Sequence, residues 1–324
     1  MRNIHCAELF KRHPGNPILT VKHLAYPANS VFNAGATKLG DETILLMRVE
    51  DRRGISHLTV ARSKDGVADW RVDPAPTLLP DPEHHPEEIW GIEDPRITYL
   101  EELGEYAIAY TAYSEDGPLV SLATTKDFKT FVRHGPVMPP EDKDAALFPV
   151  RFRGRWTMIH RPIVFPLTAG RHTPGAAHIW ISFSPDLRHW GDHRMLIPAR
   201  RGAWWDANKI GLSPPPLQTP EGWLILYHGV RTTASGSIYR LGLALLDLED
   251  PCKVIARSDE WVFAPEKEYE LSGDVDKVVF PCGWVAEGDE VRLYYGGADV
   301  CLALATAKIP ELLDWLRHHS SVAR

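Results

Sequence analysis

One pattern recurs five times along this chain, at a spacing of about sixty residues, and internal repeats of that order mark solenoids, propellers or arrays. Its first part is a short apolar strand ending in polar or aromatic residues: 43–48 (TILLMR), 105–110 (EYAIAY), 155–160 (RWTMIH), 222–228 (GWLILYH) and 290–295 (EVRLYY). Its second part is a strand that runs into a turn: 57–65 (HLTVARSKD), 120–127 (VSLATTKD), 179–186 (IWISFSPD), 241–248 (LGLALLDL) and 300–308 (VCLALATAK). The repeat constrains the architecture, and the architecture decides which residues can meet.

An opening strand precedes each pair: 31–39, 95–100, 147–152, 210–217 and 279–285, four of which contain proline. Proline is disfavoured in a central ladder but tolerated where a strand begins or borders a channel. A fourth strand follows each turn at 70–78, 131–138, 189–197 and 253–263. The fifth unit has no fourth strand of its own, because the chain turns helical after Ile309. The N-terminal stretch 10–20 (FKRHPGNPILT) resembles 131–139 (FVRHGPVMP) and is expected to complete the last blade. The reading is an all-β, five-bladed β-propeller over residues 1–324, one domain, closed by an N-terminal strand, which protects the sheet edges. A short C-terminal helix over 310–318 follows, with Pro310 in its first turn and Leu312, Leu313, Trp315 and Leu316 on its apolar face.

Composition narrows the function classes. The chain has 324 residues, 44% of them hydrophobic, enough for a sizeable core. Its formal net charge of −7 argues against a nucleic-acid partner. The N-terminal residues lack an apolar h-region and no run approaches the length of a membrane span, so a cytoplasmic protein without membrane contact is expected. Cys6, Cys252, Cys282 and Cys301 are scattered without metal-like spacing and suit free thiols in a reducing cytosol. No metal is called for, and a homo-oligomer is left open.

In an antiparallel blade the start of the first strand and the end of the second share one face. Those positions carry Asn29, Ser30 and Asn33; Glu93 and Asp94; Lys143 and Asp144; Asp206, Asn208 and Lys209; Asp274, Asp276 and Lys277. They also carry Arg48, Glu50, Asp51, Arg52 and Arg53; Tyr110 and Tyr113; His160 and Arg161; His228 and Arg231; Asp299. The opposite loops are ordinary turns. A face so dense in ionisable groups reads as a pocket, with Asn33, Arg52, Glu93, Asp206, Asp299 and Tyr110 as candidate substrate contacts. Within WGIEDPRI (90–97), Asp94 is either a turn residue, with Arg96 paired to Glu93, or an acid at the channel mouth. Arg48, Lys143, Arg161, Lys209 and His228 come from different blades yet face one cavity. Like charges so gathered need an anion, supplied either by the neighbouring carboxylates or by a bound phosphate. Trp90, Trp204, Trp205 and Tyr239 suit either sugar stacking or packing.

The segments 33–36 (NAGA), 48–53 (RVEDRR), 91–96 (GIEDPR), 147–149 (LFP), 160–162 (HRP), 227–229 (YHG) and 295–299 (YGGAD) together resemble glycoside hydrolase family 130, the β-mannoside phosphorylases. The resemblance spans nearly the whole chain and implies a five-bladed propeller. It also implies that Asp94 is the sole catalytic acid, acting on the glycosidic oxygen through the 3-hydroxyl of the mannose. Inorganic phosphate, a co-substrate rather than a cofactor, would attack from the opposite face and give α-mannose 1-phosphate. By motif position Arg161 and His228 resemble phosphate ligands, with Lys143 and Lys209 as helpers, and Asp299 resembles a ligand of mannose hydroxyls.

The chemistry agrees. An inverting hydrolase needs a second carboxylate to activate water. Phosphate is already a nucleophile and needs cations to hold it. One acid beside a cation cluster is therefore the expected mark of phosphorolysis on a small oligosaccharide, with a short β-1,4-mannoside such as mannosyl-N-acetylglucosamine as the preferred substrate. An inverting β-mannosidase on the same fold, with Glu93, Asp51, Asp144, Asp206 or Asp276 as base, is one alternative. A non-catalytic carbohydrate-binding propeller is another, and arabinanase-like or fructan-cleaving propellers fit the cations less well.

Overall fold

The computed structural model describes residues 8–163, 177–233 and 236–321. Five antiparallel sheets follow one another along the chain. Blade one comprises Ser30–Leu39, Glu42–Glu50, Ser56–Ser63 and Arg71–Val72. Blade two comprises Ile92–Leu100, Glu105–Ser114, Gly117–Thr125 and Val132–Met138. Blade three comprises Asp142–Leu147, Trp156–Pro162, Ile179–Ser184 and Gly191–Ile197. Blade four comprises Lys209–Leu212, Gly222–Thr233, Gly236–Leu246 and Val254–Ser258. Blade five comprises Val279–Glu287, Glu290–Gly297 and Cys301–Lys308, and its fourth strand is Lys11–Arg12 from the other end of the chain.

The repeat in the sequence has a local physical cause. After the third strand of blades one to four, an aspartate folds back onto the backbone: Asp65, Asp127, Asp186 and Asp247 each accept from the amides two and three residues on, at 2.8–3.1 Å. Such a turn stabilises the reversal into the fourth strand. The bonds hold these carboxyls below their usual range; for Asp186 the His189 amide contributes most. On the hairpins between first and second strands, Gly40 and Gly104 supply the left-handed backbone, both at φ 62°.

The core is divided among the blade interfaces. Ile44, Leu46 and Val60 meet Ile97 and Ile108; Ala109 and Leu122 meet Leu147 and Trp156; Ile159 and Ile181 meet Ile210 and Ile225. Leu226 and Leu243 meet Leu293 and Ala305, and Ala34 and Met47 meet Tyr294 and Leu304. The last contact joins blade five to blade one and completes the ring. The helix Ile309–His318 lays Leu312, Leu313, Trp315 and Leu316 onto the core shared by blades four and five. Beyond it Ser320–Ser321 pairs with the edge of blade four. No helix is long and apolar enough to cross a membrane.

The openers of blades three and four depart most from the sequence reading, and that of blade two begins three residues earlier, at Ile92. Blade three opens at Asp142 rather than Leu147, because its first residues are polar and line the axis, where the apolar alternation of a buried strand does not apply. Blade four's opener breaks at Leu212 and resumes at Leu217–Thr219, since Pro214, Pro215 and Pro216 cannot donate to the ladder.

Ring closure depends on a buried ion pair. Lys11 and Arg12 pair with Thr306 and Ala305, and Leu19 bridges to Leu302. The Arg12 guanidinium donates to both oxygens of Glu270, at 2.8 and 2.9 Å, and to the Ala264 carbonyl at 2.6 Å, and it lies 4.2 Å from the Phe263 ring centre. Tyr295 Oη donates to the same carboxylate at 2.7 Å. Removing one partner leaves a buried charge uncompensated. Arg12→Ala should therefore lower the unfolding free energy by about 3–5 kcal/mol, read from urea denaturation, and a loss below about 1 kcal/mol would refute the closure role.

Candidate active site

The site lies on the axis, at the ends where first strands begin and second strands finish. A β-bulge interrupts the first strand of blades one, two and three, between Phe32 and Gly35, Glu93 and Arg96, and Lys143 and Ala146. The leading residue of each bulge has left-handed backbone: Asn33 at φ 46°, Asp94 at 49° and Asp144 at 55°. Asn and Asp tolerate this region better than other non-glycine residues, and a bulge re-aims the side chain it carries. Three equivalent polar groups are thereby turned into one cavity. They line it with Arg48, Lys143, Arg161, Lys209, His228, Tyr239, Phe280 and Asp299 around about 570 Å³ of space.

One end of the cavity is built around a carboxylate. Asp94 is buried and its Oδ1 accepts from Asn33 Nδ2 at 2.9 Å and Arg48 Nη1 at 3.1 Å. Arg48 also donates to Glu93 at 3.0 Å and to Ser56 Oγ at 2.9 Å. Burial by itself would raise the Asp94 pKa, but Arg48, Lys143 and Arg96 outweigh it and hold the group below the ordinary carboxylate range. Asp299 responds the other way. Burial, reinforced by the negative charge of Asp94, pushes it up to about 7.

The other end gathers cations. Arg161 Nε donates to Asp144 Oδ2 at 2.7 Å, and His228 Nε2 stands 3.4 Å from the same oxygen. Gly211 permits this approach, since a Cβ there would lie 2.3 Å from Asp144 Oδ2 and 2.6 Å from the His228 ring. Lys209 Nζ lies 5.4 Å from the Tyr239 ring centre. Neither Lys143 nor Lys209 forms an ion pair among the described residues. Burial lowers the pKa of Lys209, and the charge of Arg161 lowers it further. Burial also lowers His228 against the opposing pull of Asp144. For Asp144 burial is the largest influence and acts upward, yet Arg161, His228 and Arg96 hold the group well below its usual value.

Not every candidate converges here. Arg48, grouped on sequence with the phosphate cations, sits at the acid end. Glu93 is bound to Arg48 at the rim and reaches the site through it. Asp206 is withdrawn into the protein, where Oδ2 accepts from Arg257 at 2.7 Å, Arg200 at 3.0 Å and Tyr227 at 3.1 Å. Tyr110 faces the core between blades one and two and donates to Glu88 at 2.7 Å. Arg52 is exposed on the turn after Glu50. Trp205 is packed 5.5 Å from Tyr227, ring centre to ring centre, while Trp90 and Trp204 are exposed. Cys6 lies outside the described residues.

The sequence reading considered Arg96 only as a partner of Glu93. It does not pair with Glu93, because the bulge intervenes and turns the guanidinium into the axis. There it donates to the Asp94 carbonyl at 3.1 Å, Asp144 Oδ1 at 3.3 Å, the Leu212 carbonyl at 3.0 Å and the Ser213 carbonyl at 2.7 Å. An arginine among the apolar residues of PRITYL was the available signal. One cluster of metal-type ligands occurs among the described residues, His85, Glu87 and Glu88. Glu88 is buried and already accepts from Tyr110, from Arg133 at 3.1 Å and from the Asp81 amide at 2.9 Å, which makes it a structural anchor.

Known proteins resemble this chain in sequence and in fold. The family model for glycoside hydrolase family 130, described as beta-1,4-mannooligosaccharide phosphorylase, matches residues 3–318. A beta-1,4-mannooligosaccharide phosphorylase of Ruminococcus albus is 33% identical, over 98% of this chain and 93% of its own. A beta-1,2-mannobiose phosphorylase of Listeria innocua is 39% identical, over 81% of this chain and 69% of its own. A solved structure of beta-1,2-mannobiose phosphorylase from Listeria innocua, in complex with beta-1,2-mannobiose, superposes with a TM-score of 0.85 at 31% identity, covering 96% of this chain and 99% of that one. With family model, relatives and fold agreeing over nearly its full length, the chain belongs to glycoside hydrolase family 130.

Proposed function

We infer that the protein is an inverting β-mannoside phosphorylase that transfers a mannosyl group to inorganic phosphate. The observation that carries this reading is the pairing, in one cavity, of Asp94 with the cations Lys143, Arg161 and Lys209. Phosphate seated against those cations attacks the anomeric carbon on the face opposite the glycosidic oxygen. The C1–O bond to the acceptor breaks, a C1–O bond to phosphate forms, and the β-mannoside becomes α-mannose 1-phosphate. The Asp94 proton passes through the mannose 3-hydroxyl to the departing acceptor oxygen. Asp299 and Asn33 hold the sugar hydroxyls, and Arg161, Lys143, Lys209 and His228 hold the phosphate.

The electrostatics give the reaction an order. In the empty cavity Asp94 is the more acidic of the two carboxyls and Asp299 keeps the proton. Phosphate offsets Lys143, one of the cations that depress Asp94, and adds negative charge to the cavity, which raises the Asp94 pKa and favours return of the proton to the acid. Hydrolysis would need a base, and Asp144 suits that role poorly, because the cations around it suppress its basicity. For the acceptor we favour a β-1,4-linked sugar, a short manno-oligosaccharide or mannosyl-N-acetylglucosamine, with the resemblance to the Ruminococcus albus enzyme over the fuller length as support. Free thiols at Cys252, Cys282 and Cys301 suit a reducing, cytosolic compartment.

Turnover of a β-1,4-manno-oligosaccharide should require phosphate and release mannose 1-phosphate, and Asp94→Asn should lower kcat by about 10²–10⁴-fold. Free mannose appearing equally fast without phosphate would overturn the reading. Synthesis from α-mannose 1-phosphate with a panel of acceptor sugars identifies the linkage. A second test follows from Asp299. Its carboxyl stays neutral in the folded protein up to about pH 7 but ionises near pH 4 when unfolded. Stability contributed by this group is therefore lost as pH rises through that window. Asp299→Asn, compatible with φ 57° at this position, should leave Tm unchanged near pH 4 and raise it by about 2–4 °C at pH 8. Equal shifts at both pH values would contradict the burial of this carboxyl.

A further inference from the structure

A carboxylate in the middle of an anion seat is unexpected. Asp144 lines the cavity beside Lys143, Arg161 and Lys209, is 2% exposed, and is held at a left-handed backbone position. An asparagine would suit that backbone equally well, and its one amide oxygen would still accept from Arg161 in place of Oδ2, giving up the bond from Arg96. It would do so without placing a negative charge against the incoming anion. The carboxylate compensates the buried Arg96 as well as holding Arg161, and it brings to the seat a group that only accepts hydrogen bonds.

We propose that Asp144 makes the seat selective for an oxyanion that still carries a proton, hydrogenphosphate or hydrogenarsenate, and excludes sulfate. An ionised carboxylate has about four lone-pair sites and only accepts hydrogen bonds. Arg161 donates to Oδ2, with His228 Nε2 3.4 Å from the same oxygen, and Arg96 takes one site on Oδ1 at 3.3 Å, so Oδ1 retains one acceptor site. Hydrogenphosphate can donate its hydroxyl to that site in a short, charge-assisted bond. Sulfate has the same shape and charge but no proton at neutral pH, so it opposes lone pair to lone pair. A site built to bond a hydroxyl discriminates strongly against an analogue that lacks it. The low basicity of Asp144 keeps it ionised throughout the working range and preserves this acceptor character.

The inference rests on the phosphorolysis reading, and the two fail separately: phosphate dependence of turnover tests that reading, and the sulfate-to-phosphate affinity ratio tests this one. Phosphate, arsenate and sulfate are titrated calorimetrically into the wild-type protein and into Asp144→Asn, with sulfate also tested as a competitor of phosphate in turnover. In the wild type, arsenate should bind within about tenfold of phosphate and sulfate at least about 100-fold more weakly. In Asp144→Asn, whose amide can donate to sulfate, the ratio should fall at least about tenfold. Sulfate binding the wild type as tightly as phosphate overturns the proposal whether or not the variant folds. So does a ratio that Asp144→Asn leaves unchanged.

Discussion

The guanidinium of Arg96 is the point on which the site depends. It is buried on the axis and joined to the Asp94 carbonyl within its own blade, the Asp144 carboxylate of blade three and two carbonyls of blade four. The Phe280 ring of blade five lies 5.7 Å away, centre to guanidinium carbon. A propeller axis is where every first strand exposes its edge and where unpaired carbonyls collect. A planar cation with five donors satisfies several of them at once and keeps its charge compensated by Asp144. The same group therefore fixes the backbone that carries the acid and the carboxylate that orients Arg161. Acid and anion seat are referenced to one buried cation, so their separation is set by the rigid interior.

Around that centre a single backbone device is used three times. A left-handed residue at the head of a bulge costs roughly 1–3 kcal/mol when it is not glycine, and only a surrounding structure that over-determines it can hold it. The blade interfaces on both sides supply that constraint. With geometry common to blades one to three, chemical identity decides the roles. Asn33 contributes an amide donor, Asp94 an acid, and Asp144 a permanently ionised acceptor.

The cavity is consequently polarised between two compensated halves. Asn33, Arg48, Glu93, Asp94 and Asp299 form one, with more carboxylates than cations. Lys143, Asp144, Arg161, Lys209 and His228 form the other, with more cations than carboxylates. Burial magnifies each charge, so the titration of any member depends on whether the opposite end is occupied. Asp94 and Asp299 show the consequence: two carboxyls facing the same cavity are driven in opposite directions because Arg48 touches one of them and burial dominates the other.

The sequence alone determined the five-fold repeat, the four-stranded blades, the borrowing of the N-terminal strand and the face of the propeller on which polar residues accumulate. These follow from local causes: apolar alternation, prolines at strand starts and the aspartate that closes each third-strand turn. Asp94, Lys143, Arg161, Lys209, His228 and Asp299 were within reach for the same reason, since each sits at a strand end that topology sends to the axis. Tertiary structure decided the rest. A one-residue bulge reverses which side chains face inward, and no local pattern marks it, so Arg96 changed partners and Arg48 joined the acid. Asp206 left the cavity because Tyr227 and Arg257, from later strands of its blade, together with the nearby Arg200, offered it a buried network. Pairings of that kind are settled by long-range electrostatics and packing, which a linear sequence encodes only through the completed fold.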